Sequence, residues 1–370
     1  MIKVDRAEVR QVELPLILPL ETSFGREEIK TCLLVRLFAE GLEGWGEIPA
    51  GAAPLYNEET VGTAWHILEA FVLPGLLGRE ISHPTGFPQT VRHLRRHHMA
   101  KAGVEAALWD LQCQQEEVPL SQALGGTRER IEVGVSLGIE PTLSLLLARI
   151  EEFLSRGYRR IKVKIKPGWD VDVIREIRQR FGRIRLQADA NSAYTLQQTQ
   201  VFRDMDEFDL LLIEQPLGED DLVDHAALQR QLRTPICLDE SIVTPDHARK
   251  AITLGSCRVI NIKAARMSGL TAGRATHDLC AAASIPVWCG GLLETGIGRA
   301  ANIALASLPN FRLPADLSAS DRYFQTDVIE PPVFLNKDGT ITVPVTPGLG
   351  FSVNLKSVED CTVRTKTFKR

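Results

Sequence analysis

The sequence contains no C-x-x-C pair and no surplus of positive charge, and it has no Gly-rich phosphate loop after its first strand-like run. No apolar run approaches the about 20 residues that a membrane span requires. Lys and Arg number 43 against 47 Asp and Glu, a formal net charge of −4. A face that tracks nucleic-acid phosphates needs the opposite balance, so nucleic acid is excluded as an expected partner. The seven cysteines (Cys32, Cys113, Cys237, Cys257, Cys280, Cys289 and Cys361) are scattered and odd in number, and several sit in apolar runs. They read as reduced, buried residues rather than a disulfide frame or a zinc site. The opening stretch MIKVDRAEVRQVELPL is charged from residue 3 and lacks the apolar core of a signal peptide. A cytoplasmic protein with no membrane partner is expected. Its 370 residues suffice for one large or two ordinary domains.

What is present falls into two patterns. Over residues 1–125 the reading is mixed α+β, with strand-like alternation in KVDRAEVRQVEL and TCLLVRLFAEGLEGWGEI. These bracket a loop, ILPLETSFGREEIK. A second loop, PAGAAPLYNEET, leads into helical stretches around 58–73, 84–96 and 99–115. From about 130 the rhythm changes. Strand-like runs fall at 130–138, 159–165, 184–190, 211–217, 234–241, 257–265, 285–291 and 310–317. Segments of helical composition lie between them, among them 142–156, 171–180, 195–206, 244–254, 268–283 and 295–307. Strands separated by helices of this length make βαβ units and a parallel sheet.

The expected fold is therefore α/β, a modified TIM barrel of (β/α)7β type with an α+β N-terminal capping domain. A doubly wound open sheet is the alternative. The turn-rich tail, with Pro331, Pro332, KDGT and TPGLGF, is expected to pack back on the N-terminal part. The expected division is a cap over 1–125, a barrel over 126–325 and a completing segment over 326–370.

In RRIKVKIKPGWD, residues 159–170, Lys162, Lys164 and Lys166 alternate with Ile161, Val163 and Ile165, which puts the lysines on one face of a strand. Taken alone this is a solvated edge. Spacing points elsewhere. Lys164, Asp189, Glu214, Asp239 and Lys263 stand near strand ends at separations of 25, 25, 25 and 24 residues, one βα unit each. In a parallel barrel that brings all five to the C-terminal rim, where such barrels hold their active sites. Three carboxylates on adjacent strands repel one another unless a cation sits between them. Oxygen ligands without His or Cys favour Mg2+ or Mn2+ over zinc.

A partly desolvated lysine beside other cations has a lowered pKa and serves as a base near neutrality, with Lys162 the source of that effect on Lys164. Such parts suit removal of the weakly acidic proton α to a carboxylate. Any one of these acids is more simply a helix cap or an ion-pair partner. Five at one-unit spacing are not.

The stretches KVKIKPGWD, DANSAYT, EQPL, LDESI and NIKAARMSG resemble the enolase superfamily, specifically its muconate lactonizing enzyme subgroup. TSFG, GWGE, AKAGVEAALWDL, VWCGGLLETGIGRAANIALASLP and DLSASDRYF extend the resemblance over nearly the whole chain. These segments are most similar to the family of o-succinylbenzoate synthases and N-succinylamino acid racemases. The resemblance implies Asp189, Glu214 and Asp239 as ligands of Mg2+, with Mn2+ as the substitute. It implies Lys164 as the base, Lys162 as its modulator and a contact of the substrate carboxylate, and Lys263 across the substrate.

Two reactions are implied. As a synthase, Lys164 takes the α-proton of a succinyl-bearing hydroxycyclohexadiene carboxylate and helps hydroxide leave, while Lys263 stabilises the enediolate, a step toward menaquinone. As a racemase, the two lysines work on opposite faces of the α-carbon. The synthase is the expected activity, with racemisation additional or alternative.

Other readings make different demands. Muconate cycloisomerase shares both lysines. Mandelate racemase-like members use a His–Asp dyad in place of Lys263, and no suitable His stands here. Dipeptide epimerases carry an Asp-x-Asp pair near the eighth strand, against CGGLLETG here. Outside the superfamily, a barrel aldolase would form a Schiff base on a lysine, and a silent barrel would bind without turnover. The expected partner is a small-molecule carboxylate, and a homo-oligomer is expected.

Several neighbours are candidate contacts. Asn191 shares the face of Asp189 and would orient a ligand. Arg266 would raise the positive field around Lys263 and favour its neutral form. Ser136 would bond a substrate carboxylate, and Gly290 and Gly291 would let backbone N–H groups approach one. Glu240 points to the other face in a supporting role, and Glu294 is a rim or helix residue. The loops at 19–27 and 50–60 would close over the barrel mouth, with Phe24 and Tyr56 as apolar contacts. His97 and His98 read as surface, and Lys166 as solvated.

Overall fold

The computed structural model describes residues 1–369. The N-terminal region is an antiparallel sheet of β1 (Arg6–Glu21), β2 (Arg26–Ala39) and β3 (Leu42–Ile48). Val9, Val12 and Leu14 of β1 and Leu33–Val35 of β2 are buried; Val9, Leu33 and Val35 pack into one core and Val12, Leu14 and Leu34 into another, so this part of the sheet is covered on both faces. The expected loop over 17–30 is instead mostly strand. β1 continues to Glu21 and β2 begins at Arg26, so only four residues turn. Pairing is interrupted between Pro15 and Leu20, where Pro15 and Pro19 lack the N–H that a ladder needs. A long hairpin thus stands where a loop was expected.

Helix α1 (His98–Gln115) lies on β3. The approach is so close that a Cβ on Gly46 would stand 2.0 Å from the Gly103 carbonyl oxygen, and one on Gly44 2.2 Å from that of Ala107. The expected helix at 84–96 is only two short turns, Pro84–Gly86 and Phe87–Thr90, broken by Pro84, Gly86 and Pro88. His98 is not a free surface residue: its Nδ1 lies 2.6 Å from Ser268 Oγ, and burial pushes its pKa down to about 4.

The second region is a parallel sheet in which each strand pairs with its sequence neighbour. Its strands are β4 (Val135–Leu137), β5 (Arg160–Lys164), β6 (Arg185–Asp189), β7 (Ile213–Glu214), β8 (Ile236–Leu238), β9 (Val259–Ile262) and β10 (Val287–Cys289). Seven helices follow them: α2 (Leu143–Ser155), α3 (Val171–Phe181), α4 (Thr199–Met205), α5 (Val223–Gln229), α6 (Pro245–Leu254), α7 (Leu270–Ala282) and α8 (Gly296–Ala306). Side-chain caps explain several starts. Thr142, Thr244 and Thr295 accept backbone N–H groups of α2, α6 and α8, and Pro245 opens α6.

The ring closes without a regular eighth strand. Phe311 bridges to Val287 and Ala315 to Val133, with Pro314 breaking the ladder between them. The expected strand at 130–138 also divides. Arg130–Glu132 turns away to pair with Thr340–Thr342, and only Val135–Leu137 enters the barrel. Gly134 sits at the division, where a Cβ would lie 2.5 Å from the Arg160 guanidinium. The tail returns as expected: Thr362–Lys369 pairs antiparallel with β1 as a fourth strand of the N-terminal sheet. Among the described residues no helix is long and apolar enough to cross a membrane.

Candidate active site

Every residue of β5 is buried, so the lysine face of KVKIK is no solvated edge. β5 lies between β4 and β6 and presents Lys162 and Lys164 to the barrel interior. Register then arranges the charged rim. Lys164 stands opposite Asp189, and Asp189 opposite Glu214. Glu214 pairs with Cys237, which places Asp239 one pleat nearer the mouth on the next strand. Lys263 directly follows β9, four strands around from β5 and so across an eight-position ring. The five side chains therefore climb around one rim rather than lying in a plane. All are buried, none more than 8% exposed.

Each carboxylate is turned to a cation. Lys164 Nζ donates to Asp189 Oδ2 and to Asn191 Oδ1, both at 2.7 Å. Lys162 Nζ reaches Glu214 Oε2 at 3.0 Å, Asp189 Oδ2 at 3.1 Å and Asp316 Oδ2 at 2.6 Å. Lys263 Nζ donates to Asp239 Oδ2 at 2.8 Å, and Arg266 Nη1 donates to Asp239 Oδ1. Burial opposes ionisation of Asp189, but Lys164 and Lys162 outweigh it and hold the carboxyl well below its usual range. Arg266 and Lys263 likewise bring Asp239 down to about 2 against its burial.

Glu214 and Glu240 behave oppositely. Burial and the charge of Asp189 push Glu214 up to about 7, while burial and Asp239 push Glu240 up to about 8. Glu240 Oε1 accepts from Asn191 Nδ2 at 3.0 Å, and Glu240 Oε2 is buried without a partner.

With the carboxylates so committed, no three His, Cys, Asp or Glu side chains among the described residues are arranged to hold a metal ion. The donor set nevertheless fits a hard cation. Asp189, Glu214, Asp239 and Glu240 are buried oxygen donors on consecutive strand ends, two of them are driven toward protonation by burial and by neighbouring carboxylates, and one oxygen is orphaned.

A cavity of about 320 Å3 opens between this rim and the N-terminal region. Ser136, Lys162, Lys164, Asn191, Lys263 and Gly291 form its floor; Phe24, Leu55 and Tyr56 come from the cap hairpin and the following loop. Both loops thus lie over the mouth as expected. Ser136 Oγ is buried without a partner beside the lysines.

Three expected roles are corrected. Tyr56 is not an apolar contact, because its hydroxyl bonds the Lys263 ammonium at 3.1 Å and the Arg266 guanidinium at 2.8 Å. Gly290 offers no free N–H, since that group already donates to the Ile262 carbonyl at 3.1 Å. Its lack of a side chain instead leaves room for Asn261 and Lys263. Burial pulls the Lys263 pKa down and Arg266 does too, as expected, but Asp239, Tyr56 and Glu240 together outweigh them and hold the ammonium above its usual range.

Two buried residues went unread. Asp316 ends the barrel-closing segment and bridges Lys162 to Arg160 Nη2, each at 2.6 Å. Extending the rule of a charge at each strand end to FRLPADL would have found it. Lys30, on β2, lines the cavity and donates to the carbonyls of Leu292 at 2.7 Å and Pro49 at 3.1 Å. Nothing in its local sequence marks it. Lys166 is half-buried rather than free, its backbone paired with Trp169.

A charged rim of this kind on a barrel, covered by an N-terminal antiparallel sheet, defines a class. Residues 146–357 match the family model "Enolase C-terminal domain-like", and residues 5–125 match "Mandelate racemase / muconate lactonizing enzyme, N-terminal domain". The chain is an enzyme of the enolase superfamily, whose members bind a divalent metal ion. It is 51% identical over 370 residues to the o-succinylbenzoate synthase of Geobacillus kaustophilus, covering 100% of this chain and 98% of the relative. It is 48% identical over 361 residues to the N-succinylamino acid racemase of Thermus thermophilus, covering 98% of each. A crystal structure of an enolase superfamily member from Listeria innocua superposes with a TM-score of 0.96 at 39% identity, with 100% of both chains covered. The chain belongs to the family of o-succinylbenzoate synthases and N-succinylamino acid racemases.

Proposed function

We propose that this chain is an o-succinylbenzoate synthase that also racemises N-succinylamino acids, with Mg2+ held by Asp189, Glu214 and Asp239. The observation that carries the reading is one cavity lined by Lys162, Lys164 and Lys263, with Lys164 and Lys263 on strand ends across the ring from each other and the three ammonium groups paired to the buried carboxylates Glu214, Asp189 and Asp239. When bound, the metal supplies positive charge that stabilises the negative charge building on the substrate's carboxylate oxygens.

The chain's own groups do the rest. Lys162 is held as an ammonium, because Asp316, Glu214 and Asp189 outweigh its burial, and its charge attracts the substrate carboxylate. Ser136 Oγ, free of protein partners, donates to the same group. Lys164, steadied by Asn191, takes the α-proton on one face. In the synthase reaction it passes that proton to the departing hydroxide on the same face, and Lys263 supplies positive charge to the enediolate from the other side. In racemisation Lys263 delivers a proton to that opposite face. The cap hairpin and the 50–60 loop exclude water from the charge being formed.

Seven free cysteines, six of them buried, support residence in a reducing cytoplasm. Self-association belongs to the same proposal and is read by sedimentation.

The function is tested on one purified sample. Dehydration of the cyclohexadiene substrate and α-deuterium exchange of N-succinylamino acids in D2O are followed side by side, before and after EDTA. Both activities should be lost with EDTA and restored by Mg2+. Efficient racemisation without dehydration would assign a dedicated racemase. Trapping by borohydride with indifference to EDTA would instead indicate a Schiff-base enzyme.

A further inference from the structure

The two lysines are held differently. Lys164 is bonded only within the barrel, to Asp189 and Asn191. Lys263 is bonded to Asp239 from the barrel and to Tyr56 from the N-terminal region. The Tyr56 hydroxyl accepts from Lys263 at 3.1 Å and from Arg266 at 2.8 Å, and donates to Asp239 Oδ2 at 3.4 Å, which fills its hydrogen-bonding capacity. The ammonium also lies 4.5 Å from the centre of the Tyr56 ring, on which Phe24 packs at 6.4 Å.

Tyr56 arrives on a loop whose residues 52–55 are exposed and whose far end is tied down. The tie is Glu59, buried, whose carboxylate accepts the N–H groups of Met99 and Ala100 at 2.7 and 3.0 Å at the start of α1. Arg266 is pinned independently by the carbonyls of Ile242 and Asn261. Tyr56 is therefore the one contact of Lys263 that depends on where the cap loop sits.

We propose that Tyr56 is a positioning residue for Lys263 alone, so that seating of the cap loop aims one of the two lysines while the other is aimed by the barrel. This rests on the two-lysine reading given above. Tyr56→Phe keeps the ring and removes the hydroxyl. The Mg2+-loaded enzyme is given pure L- and pure D-N-succinylphenylalanine separately in D2O, and initial α-exchange rates are measured by NMR. Lys164→Ala and Lys263→Ala identify which enantiomer reports on which lysine.

Tyr56→Phe should slow exchange of the Lys263-reported enantiomer about tenfold, the effect of one lost charge-assisted hydrogen bond, with KM little changed. The Lys164-reported enantiomer should stay within about twofold. Glu59→Gln, which weakens the loop's tie to α1 and leaves the Tyr56 hydroxyl in place, should show the same asymmetry more weakly. Equal slowing of both enantiomers, or no slowing of either, overturns the proposal for Tyr56 alone. Absence of exchange from both enantiomers in the unmodified enzyme overturns the two-lysine reading, and the proposal with it.

Discussion

Gly290→Ala probes the placement of Lys263 without altering any charged group. Gly290 follows β10, its N–H is bonded to Ile262, and its backbone lies outside the left-handed region, so alanine brings no backbone strain there. The added Cβ would lie 2.4 Å from Asn261 Oδ1, 2.6 Å from Asn261 Nδ2 and 2.7 Å from Lys263 Cε. Carbon atoms settle at about 3.5–4.0 Å, so the lysine chain must move by about 1 Å. Asn261 resists rotation, because its Nδ2 donates to Glu214 Oε1 at 2.7 Å.

A 1 Å displacement of a reacting group costs about 100-fold in rate, equivalent to about 2.7 kcal/mol of barrier. Overpacking at a site with a flexible neighbour should cost about 1–3 kcal/mol of stability. The assay pairs enantiomer-resolved exchange in D2O with thermal unfolding. Exchange on the Lys263 face should fall about 100-fold and that on the Lys164 face by far less, in a folded protein. A folded variant with both faces at unmodified rates would refute the geometric reasoning.

Burial pushes Glu105 from 4.5 up to about 7 where α1 meets α7. A raised carboxyl stabilises the fold below its unfolded pKa and loses that contribution as pH climbs through the folded value, here about 3 kcal/mol between about pH 4.5 and 7. The unfolding midpoint of Glu105→Gln should therefore gain on that of the unmodified protein as pH rises from about 5 to about 8, and a gap that stays constant contradicts the assignment. Gly46→Ala forces β3 away from α1, because its Cβ would stand 2.0 Å from a backbone oxygen that cannot yield. Urea unfolding should show a loss of about 3 kcal/mol or more, and a loss below about 1 kcal/mol would mean the helix moves freely. Asp316→Asn leaves Arg160 and Lys162 buried without their shared anion, which should lower stability by about 3–5 kcal/mol; a midpoint shift near zero counts against a structural role for that bridge.

The charged rim was legible because a parallel barrel repeats at nearly constant length, so one unit of sequence is one step around the ring. Lys164, Asp189, Glu214, Asp239 and Lys263 carry that period in their numbers alone. Helix starts at Thr142, Thr244 and Thr295 were readable for the local reason that caps are local. The hairpin between β1 and β2 was hidden because Pro15, Pro19 and Gly25 advertise a loop, while the chain bulges and resumes pairing. α5 belongs to the seven helices that the (β/α)7β expectation requires, but VDHAALQ carries no bounds of its own in the sequence reading.

The Tyr56 hydroxyl escaped for a different reason. Its partners lie 183 to 210 residues away, and no local pattern encodes contacts of that range. The sign of Arg266's effect on Lys263 is legible from charge alone, but the outcome is set by Asp239, Tyr56 and Glu240 acting together against burial.

The central claim is that two lysines serve opposite faces of one α-carbon. It is met most directly by enantiomer-resolved α-exchange in D2O for Lys164→Ala and Lys263→Ala, each loaded with Mg2+. The account predicts complementary losses: each variant fails to exchange one enantiomer and continues to exchange the other. A Lys164→Ala enzyme that still exchanges both enantiomers would contradict it.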